Sequence, residues 1–248
     1  MRLRVIGTGS SGNCYILQAE RSSLMLDAGV RMRDIRRSMP RPSSVAGCLV
    51  THEHMDHAQA AYDIAALGIP VVMSQGTFEE IEKPHSAIRF RLAHELVPID
   101  LGDFTVMAFK TQHDAREPLG FLIRHNPTHE TILYATDTYY LAYTFPGVTY
   151  WIVECNYVDE IVDQKAEYGE LSAALRKRLH RSHMSLRRLE QALMANDLSK
   201  TRMIVLVHLS DQRSDEEVMI NTVKSATKIE SVVAARKGMD IALERNPF

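Results

Sequence analysis

The 248-residue chain is 45% apolar and 24% charged, the balance of an ordinary globular protein, which excludes wholesale disorder and fibrous repeats. Twenty-nine Lys and Arg against 31 Asp and Glu leave a formal charge of −2, which excludes a polycationic nucleic-acid coat but not a local basic patch. Cys14, Cys48 and Cys155 are widely spaced and contain no C-x-x-C pair, so they build neither a disulfide framework nor a zinc ribbon and point to a reducing compartment.

In chain order, short apolar runs separated by Gly-rich turns predict strands over Leu3–Ile6, Cys14–Gln18 and Ser23–Asp27. A helix over Arg31–Met39 is stopped by Pro40 and Pro42. The apolar run Val45–Thr51 predicts a buried strand, and a helix over Met55–Leu67 ends at Gly68 and Pro70. The middle is strand-rich, with Ala87–Leu92, Glu95–Ile99, Phe104–Lys110, Gly120–His125 and Thr131–Ala135. The last third alternates strand Tyr150–Glu154, a helix near Gly169–Leu179, helix Leu186–Asn196, strand Met203–His208, helix Asp215–Ala226 and strand Ser231–Ala234. Meandering strands followed by strands joined through helices predict one four-layer αββα sandwich of two mixed β-sheets, spanning residues 1–248 as a single domain. The first residues carry too short an apolar run for a signal peptide, and no later run could span a bilayer. The expectation is therefore a cytoplasmic protein with no membrane partner.

The densest chemical signal is Thr51-His52-Glu53-His54-Met55-Asp56-His57, directly after an apolar strand. Potential ligands packed this closely at a strand end converge as the chain turns into a helix. Imidazole nitrogen and carboxylate oxygen suit zinc, manganese or iron, and no thiolate is needed. A solvated polar turn explains single histidines, but not H-x-H-x-D-H. His85, His94, His125 and His129 lack such placement and read as surface or packing residues.

That segment resembles the signature of the metallo-β-lactamase superfamily, and the resemblance runs along nearly the whole chain. Leu26-Asp27-Ala28-Gly29 is similar to the family's strand-end Asp-x-Gly, and Gly9-Ser10-Ser11-Gly12-Asn13 to the first loop of one branch. His113-Asp114-Ala115, Thr136-Asp137-Thr138 and Val207-His208-Leu209-Ser210 resemble the third, fourth and fifth motifs. The resemblance implies two divalent ions, with His52, His54 and His113 holding one and Asp56, His57 and His208 the other. Asp137 and a water or hydroxide would bridge them.

An aspartate in the fourth motif, where the β-lactamases carry cysteine, speaks against antibiotic hydrolysis. The G-S-S-G-N loop, His113-Asp-Ala-x-x-Pro-x-Gly-Phe and His208-Leu-Ser resemble the YycJ/WalJ-like nucleases, with ribonuclease Z a more distant likeness. Glu154-x-Asn156 and His183-x-Ser185 match further positions of that branch. The chain departs from it at Tyr157, at Leu186 and across Asp211-Gln-Arg-Ser, which bears on substrate contacts rather than ligands.

The implied activity is metal-dependent phosphodiester hydrolysis of nucleic acid, as a DNA exonuclease. Asp56 would orient the nucleophile, and His183, steadied by Glu154, would protonate the leaving group. Between Leu171 and Leu189 six basic residues and no acid bracket His183, and Arg176, Arg178, Arg181, Arg187 and Arg188 are candidates for a phosphate track. A pair of solvated helix faces is the commoner fate of such a run. The competing functions are hydrolysis of a small phosphodiester or ester metabolite in the same fold, and a non-catalytic metal-bearing binding module.

Overall fold

The computed structural model describes residues 1–39, 41–81 and 90–243. The chain runs β1 (Arg2–Gly7), β2 (Cys14–Gln18), β3 (Ser23–Leu26), α1 (Met32–Ser38), β4 (Val45–Leu49), α2 (Met55–Ala58), α3 (Ala61–Ala66), β5 (Val71–Met73), α4 (Gln75–Ile81) and β6 (Phe90–Leu92). It continues through β7 (Pro98–Leu101), β8 (Phe104–Lys110), β9 (Leu119–His125), β10 (Glu130–Ala135), β11 (Tyr150–Glu154), α5 (Asp159–Glu167), α6 (Ala173–Ser182) and α7 (Leu186–Met194). β12 (Met203–Val207), α8 (Glu216–Thr227), β13 (Val232–Ala234) and β14 (Asp240–Ala242) complete it. Among the described residues the strands form two mixed seven-stranded sheets, ordered β14-β1-β2-β3-β4-β5-β6 and β13-β12-β11-β10-β9-β8-β7.

The period-2 alternation of strands separates the layers. Ile132 and Tyr134 of β10, Tyr150 and Ile152 of β11, and Val205 and Val207 of β12 face a core shared with Leu3, Tyr15, Leu17 and Leu26 of the first sheet. Their chain neighbours Leu133, Trp151, Val153, Ile204 and Leu206 point to the other side, under Leu186, Leu189 and Leu193 of α7 and Met219 and Val223 of α8. On the far face of the first sheet, Cys14, Ile16, Met25 and Cys48 pack under Ile35 of α1 and Ala61, Ile64 and Ala65 of α3. The order helix, sheet, sheet, helix is the expected αββα sandwich.

Several boundaries differ from the sequence reading. The single helix expected over Met55–Leu67 is two short ones, because Ala60 leaves helical geometry (φ −102, ψ 9) to donate its N–H to the Ala28 carbonyl. The strand expected at Glu95–Ile99 begins at Pro98, since Leu96 turns left-handed (φ 58) and leaves Glu95 in an isolated bridge to Ala108. The helix near Gly169–Leu179 starts only after Ser172, whose hydroxyl caps the Leu175 N–H. Strands β5 and β14 and helices α4 and α5 are additional. Pro40 and the first part of the strand expected at Ala87–Leu92 lie outside the described residues, as does His85.

Candidate metal centre

Strand direction explains where the polar residues gather. β3 and β4 are parallel, as are β10, β11 and β12, and β8 runs with β10 because both are antiparallel to β9. Asp27, Thr51–His57, His113, Asp137, Glu154 and His208 therefore all lie at or beyond the carboxyl ends of strands, on rigid supports. Asp27, Asp137 and His208 adopt left-handed backbone (φ 57, 50 and 55), a conformation Asp and His tolerate better than most, which turns each chain sharply as its strand ends.

Two clusters meet there, and a third group of potential ligands, Asp137, Glu154, His183 and His208, overlaps the second. In the first, His54 Nδ1 lies 3.1 Å from His52 Nε2 and 3.3 Å from His113 Nε2. The second combines Asp56, His57, Asp137 and His208, with His57 Nε2 at 3.6 Å from Asp56 Oδ2 and 3.4 Å from Asp137 Oδ1. The buried Asp137 carboxylate faces both. Its Oδ1 is 2.9 Å from His208 Nδ1, and its Oδ2 is 3.4 Å from His113 Nε2 and 3.9 Å from His52 Nε2. The structure thus brings together all seven residues that the resemblance named.

Whether ions fit can be read from the donors themselves. His208 Nε2 is buried without a hydrogen-bond partner among the described residues, 3.9 Å from Asp56 Oδ2. Three imidazole nitrogens crowd together in the first cluster, where two protons at most could be shared between the contacting pairs. Lone pairs converging in this way beside carboxylates are the donor set of a borderline divalent cation. These buried His/Asp clusters are consistent with a dinuclear metal site. One contact competes: Asn13 Nδ2 stands 3.0 Å from His57 Nε2, a position an ion on that nitrogen would take over.

A polar shell behind the clusters aims them. The buried Asp27 carboxylate accepts from the Thr51 N–H (2.8 Å), the Thr51 hydroxyl (3.0 Å) and, from the other sheet, the Tyr134 hydroxyl (2.5 Å). It also lies 2.8 Å from His57 Nδ1, which turns His57 Nε2 toward the cluster, the usual way an outer carboxylate fixes a ligating imidazole. Gly29 packs so closely that a Cβ there would lie 1.7 Å from the Asp56 carbonyl oxygen.

Charge is distributed unevenly. Burial pushes His52 well below the ordinary imidazole range, reinforced by neighbouring His57. Burial also pulls on His57 and His208, but carboxylates outweigh it: Asp137 and Asp27 hold His57 well above that range, and Asp137 with Glu154 pushes His208 up to about 10. Asp137 itself is held well below the carboxylate range, because His208 and His57 more than offset its burial. Buried carboxylates here demand positive charge, which protons or cations can supply.

Glu154 and His183 stand beside the clusters. Glu154 Oε1 is 2.7 Å from His183 Nδ1 and 2.9 Å from His208 Nδ1, while Oε2 accepts from the Thr138 and Met184 amides at 2.9 and 3.1 Å. Burial opposes the charge on His183, but Glu154 overcomes it and raises the imidazole. His183 shares a cavity of about 310 Å³ with His54, Asp56, His113, Asp137 and His208.

The arginine run is dispersed. Arg176 pairs with Asp163 and Arg187 with Glu160, both on α5. Arg188 donates to the Tyr139 and His180 carbonyls and covers the Tyr139 ring, a structural use of its fork. Arg181 borders a separate groove with Arg176 and Lys177. Of the five, Arg178 lines the metal-centre cavity. Sequence reasoning passed over Arg213, which also lines it, and gave Asp27 and Asn13 no role although both stand in quoted motifs. Tyr134 carried no signal, being one apolar position in an apolar strand. Of the histidines set aside, His94 and His129 are exposed and His125 packs on Phe104.

Comparisons with known proteins agree with this fold. Residues 23–209 match the β-lactamase superfamily domain. The exodeoxyribonuclease WalJ of Streptococcus pneumoniae is 23% identical over 240 residues, covering 90% of this chain and 88% of that protein. The exodeoxyribonuclease YycJ of Bacillus anthracis is 26% identical over 232 residues, covering 88% and 86%. The metallo-β-lactamase fold protein YhfI of Bacillus subtilis superposes with a TM-score of 0.74 at 16% identity, over 96% of this chain and 98% of that one. No helix among the described residues is long and apolar enough to cross a membrane. With the family's domain matched over residues 23–209 and the His/Asp clusters at the strand ends, the chain belongs to the metallo-β-lactamase superfamily of hydrolase folds.

Proposed function

We propose that the chain is a dinuclear metal-dependent phosphodiesterase of nucleic acid, acting on DNA as a cytoplasmic exonuclease through one catalytic domain. The observation that carries this reading is the Asp137 carboxylate set between two ligand clusters, with the Glu154–His183 pair in the same cavity. The names of the two exodeoxyribonuclease relatives support the choice of DNA. His52, His54 and His113 would hold one ion, and Asp56, His57 and His208 the other, with Asp137 between. When bound, two divalent ions counter charge on the phosphoryl oxygens and acidify a water, chemistry suited to in-line displacement at phosphorus.

The side chains divide the remaining work. Asp56, a quarter to a third exposed in the cavity, orients the attacking water and can take its proton. As the new P–O bond forms and the old one breaks, the departing alkoxide needs a proton. His183 Nδ1 is occupied by Glu154, so Nε2 is the nitrogen free to deliver it. Glu154 favours the charged form of that imidazole and also contacts His208.

A second reading, hydrolysis of a small phosphodiester, is favoured by one observation. The cavity, about 310 Å³, is at the small end for ligand pockets, and Arg176 and Arg187 are already paired. A panel of end-labelled single- and double-stranded DNA, RNA and bis-nitrophenyl phosphate, each in zinc, manganese or iron, separates the two. Release of mononucleotides from DNA supports the first reading, and turnover of the small diester alone supports the second.

A further inference from the structure

Arg213 sits on the segment between β12 and α8, five residues beyond His208, and its backbone carbonyl is held by the Val158 N–H. Its side chain lines the cavity that also contains Asp56, His183 and His208. Its Nε is buried without a hydrogen-bond partner, and among the described residues no carboxylate forms an ion pair with it. This sets it apart from Arg188, whose guanidinium is tied to two carbonyls. Only the Nε is shut away, Arg213 as a whole being half-buried, so a guanidinium with no partner among the described residues stands beside the cavity and can meet an acceptor with its terminal nitrogens.

A second guanidinium reaches the same cavity from α6. Arg178 Nε donates to Asp114 Oδ2 at 3.1 Å, and Asp114 Oδ1 lies 3.2 Å from His113 Nε2, so Arg178 is placed relative to the first cluster. Its side chain is 65% exposed, which puts it at the rim, and its terminal nitrogens have no hydrogen-bond partner among the described residues. Oxygens of a scissile phosphate belong beside the metal ligands in the interior. A guanidinium at the rim is therefore placed for the next anionic group along the substrate.

Building on the phosphodiesterase reading, we propose that Arg213 and Arg178 form a two-arginine clamp for a phosphate adjacent to the scissile one. Fork-shaped donors suit this because each can meet two phosphate oxygens at once. The clamp selects substrates that carry a second phosphate in the backbone, and it registers the scissile bond against His183. It also replaces the longer phosphate track along α6 and α7, whose other arginines are tied up or lie elsewhere.

The test is equilibrium binding of a fluorescently labelled single-stranded phosphorothioate oligodeoxynucleotide to the metal-loaded protein over a range of salt. Arg213→Gln should weaken binding about tenfold and flatten the slope of log K against log salt by about 0.7, one phosphate contact on a single strand. Arg178→Gln should do the same. Arg213→Lys should restore the slope but not the full affinity, because it keeps the charge and loses the fork. For Arg213→Gln, the loss in turnover should be larger on the oligonucleotide than on bis-nitrophenyl phosphate, which has no second phosphate. If wild-type protein binds and degrades DNA while Arg213→Gln keeps affinity and slope, the clamp is wrong and the phosphodiesterase reading survives. Failure of wild-type protein to bind the oligonucleotide overturns the clamp and the nucleic-acid reading together. Loss of metal or a lowered melting temperature in both Arg213 variants would make the residue structural, and would also overturn the clamp.

Discussion

Replacing His183 by alanine separates proton delivery from metal binding. His183 caps the C-terminal end of α6 through its backbone N–H to the Leu179 carbonyl, and alanine leaves that bond in place. What is removed is a cavity-lining imidazole held by Glu154 at 2.7 Å, only 17% exposed, whose other nitrogen has no hydrogen-bond partner among the described residues. General acid catalysis is worth about 10²–10⁴ in rate. That range corresponds to roughly 2.7–5.4 kcal/mol of transition-state stabilisation. His183→Ala should therefore lose about that factor in DNA hydrolysis while retaining both ions by elemental analysis. A nitrophenolate leaves without a proton, so turnover of bis-nitrophenyl phosphate should fall by well under tenfold, given that the donor's contribution shrinks as the leaving group improves. The assay is a paired measurement of kcat on both substrates at fixed metal loading. Equal losses on the two would refute the assignment, and loss of an ion would make His183 a ligand instead.

Other consequences follow from neighbouring contacts. Glu154→Gln removes the charge that favours imidazolium at His183, so the pKa of that group falls and the decline of kcat with rising pH should begin at a lower pH than in the parent. An unmoved alkaline limb in the pH–rate profile would show that Glu154 does not tune the acid. Tyr134→Phe deletes one donor to the buried Asp27 carboxylate and should destabilise the protein by about 1.5–3 kcal/mol, the worth of a hydrogen bond to a charged group. Urea unfolding measures it, and a change below about 0.5 kcal/mol would mean the inter-sheet bond contributes little. Gly29→Ala drives a methyl into the Asp56 backbone, which must shift, so metal affinity should fall and stability should drop by about 1–3 kcal/mol or more. Calorimetric metal titration should show that loss, and native affinity would contradict the close packing.

The parts legible in the sequence were those whose pattern is local. His52, His54, Asp56 and His57 crowd one turn after an apolar strand, and the apolar runs Tyr150–Glu154 and Met203–Val207, alternating with helical stretches, announced the second sheet. His113, Asp137 and His208 became interpretable only as a set, because each alone is a single polar residue after a strand. What escaped depended on long-range contacts. Tyr134 reaches Asp27 across 107 residues of sequence, and Ala60 breaks its helix to meet Ala28. The arginine run was legible only in part, for the same reason. Its charges were visible, but their partners Asp163, Glu160, Tyr139 and His180 were not, and Arg213 stood alone in a segment with no basic pattern.

Ions held at the Asp137 site should carry the proposed hydrolysis, and one titration measures that directly. Chelated protein is given back a divalent ion in small steps while the release of mononucleotides from labelled DNA is followed. The rate should rise from near zero and level off at two equivalents per chain, with Asp137→Ala flat throughout. Hydrolysis that persists in chelator, or a fully loaded protein that leaves DNA intact, would contradict the account.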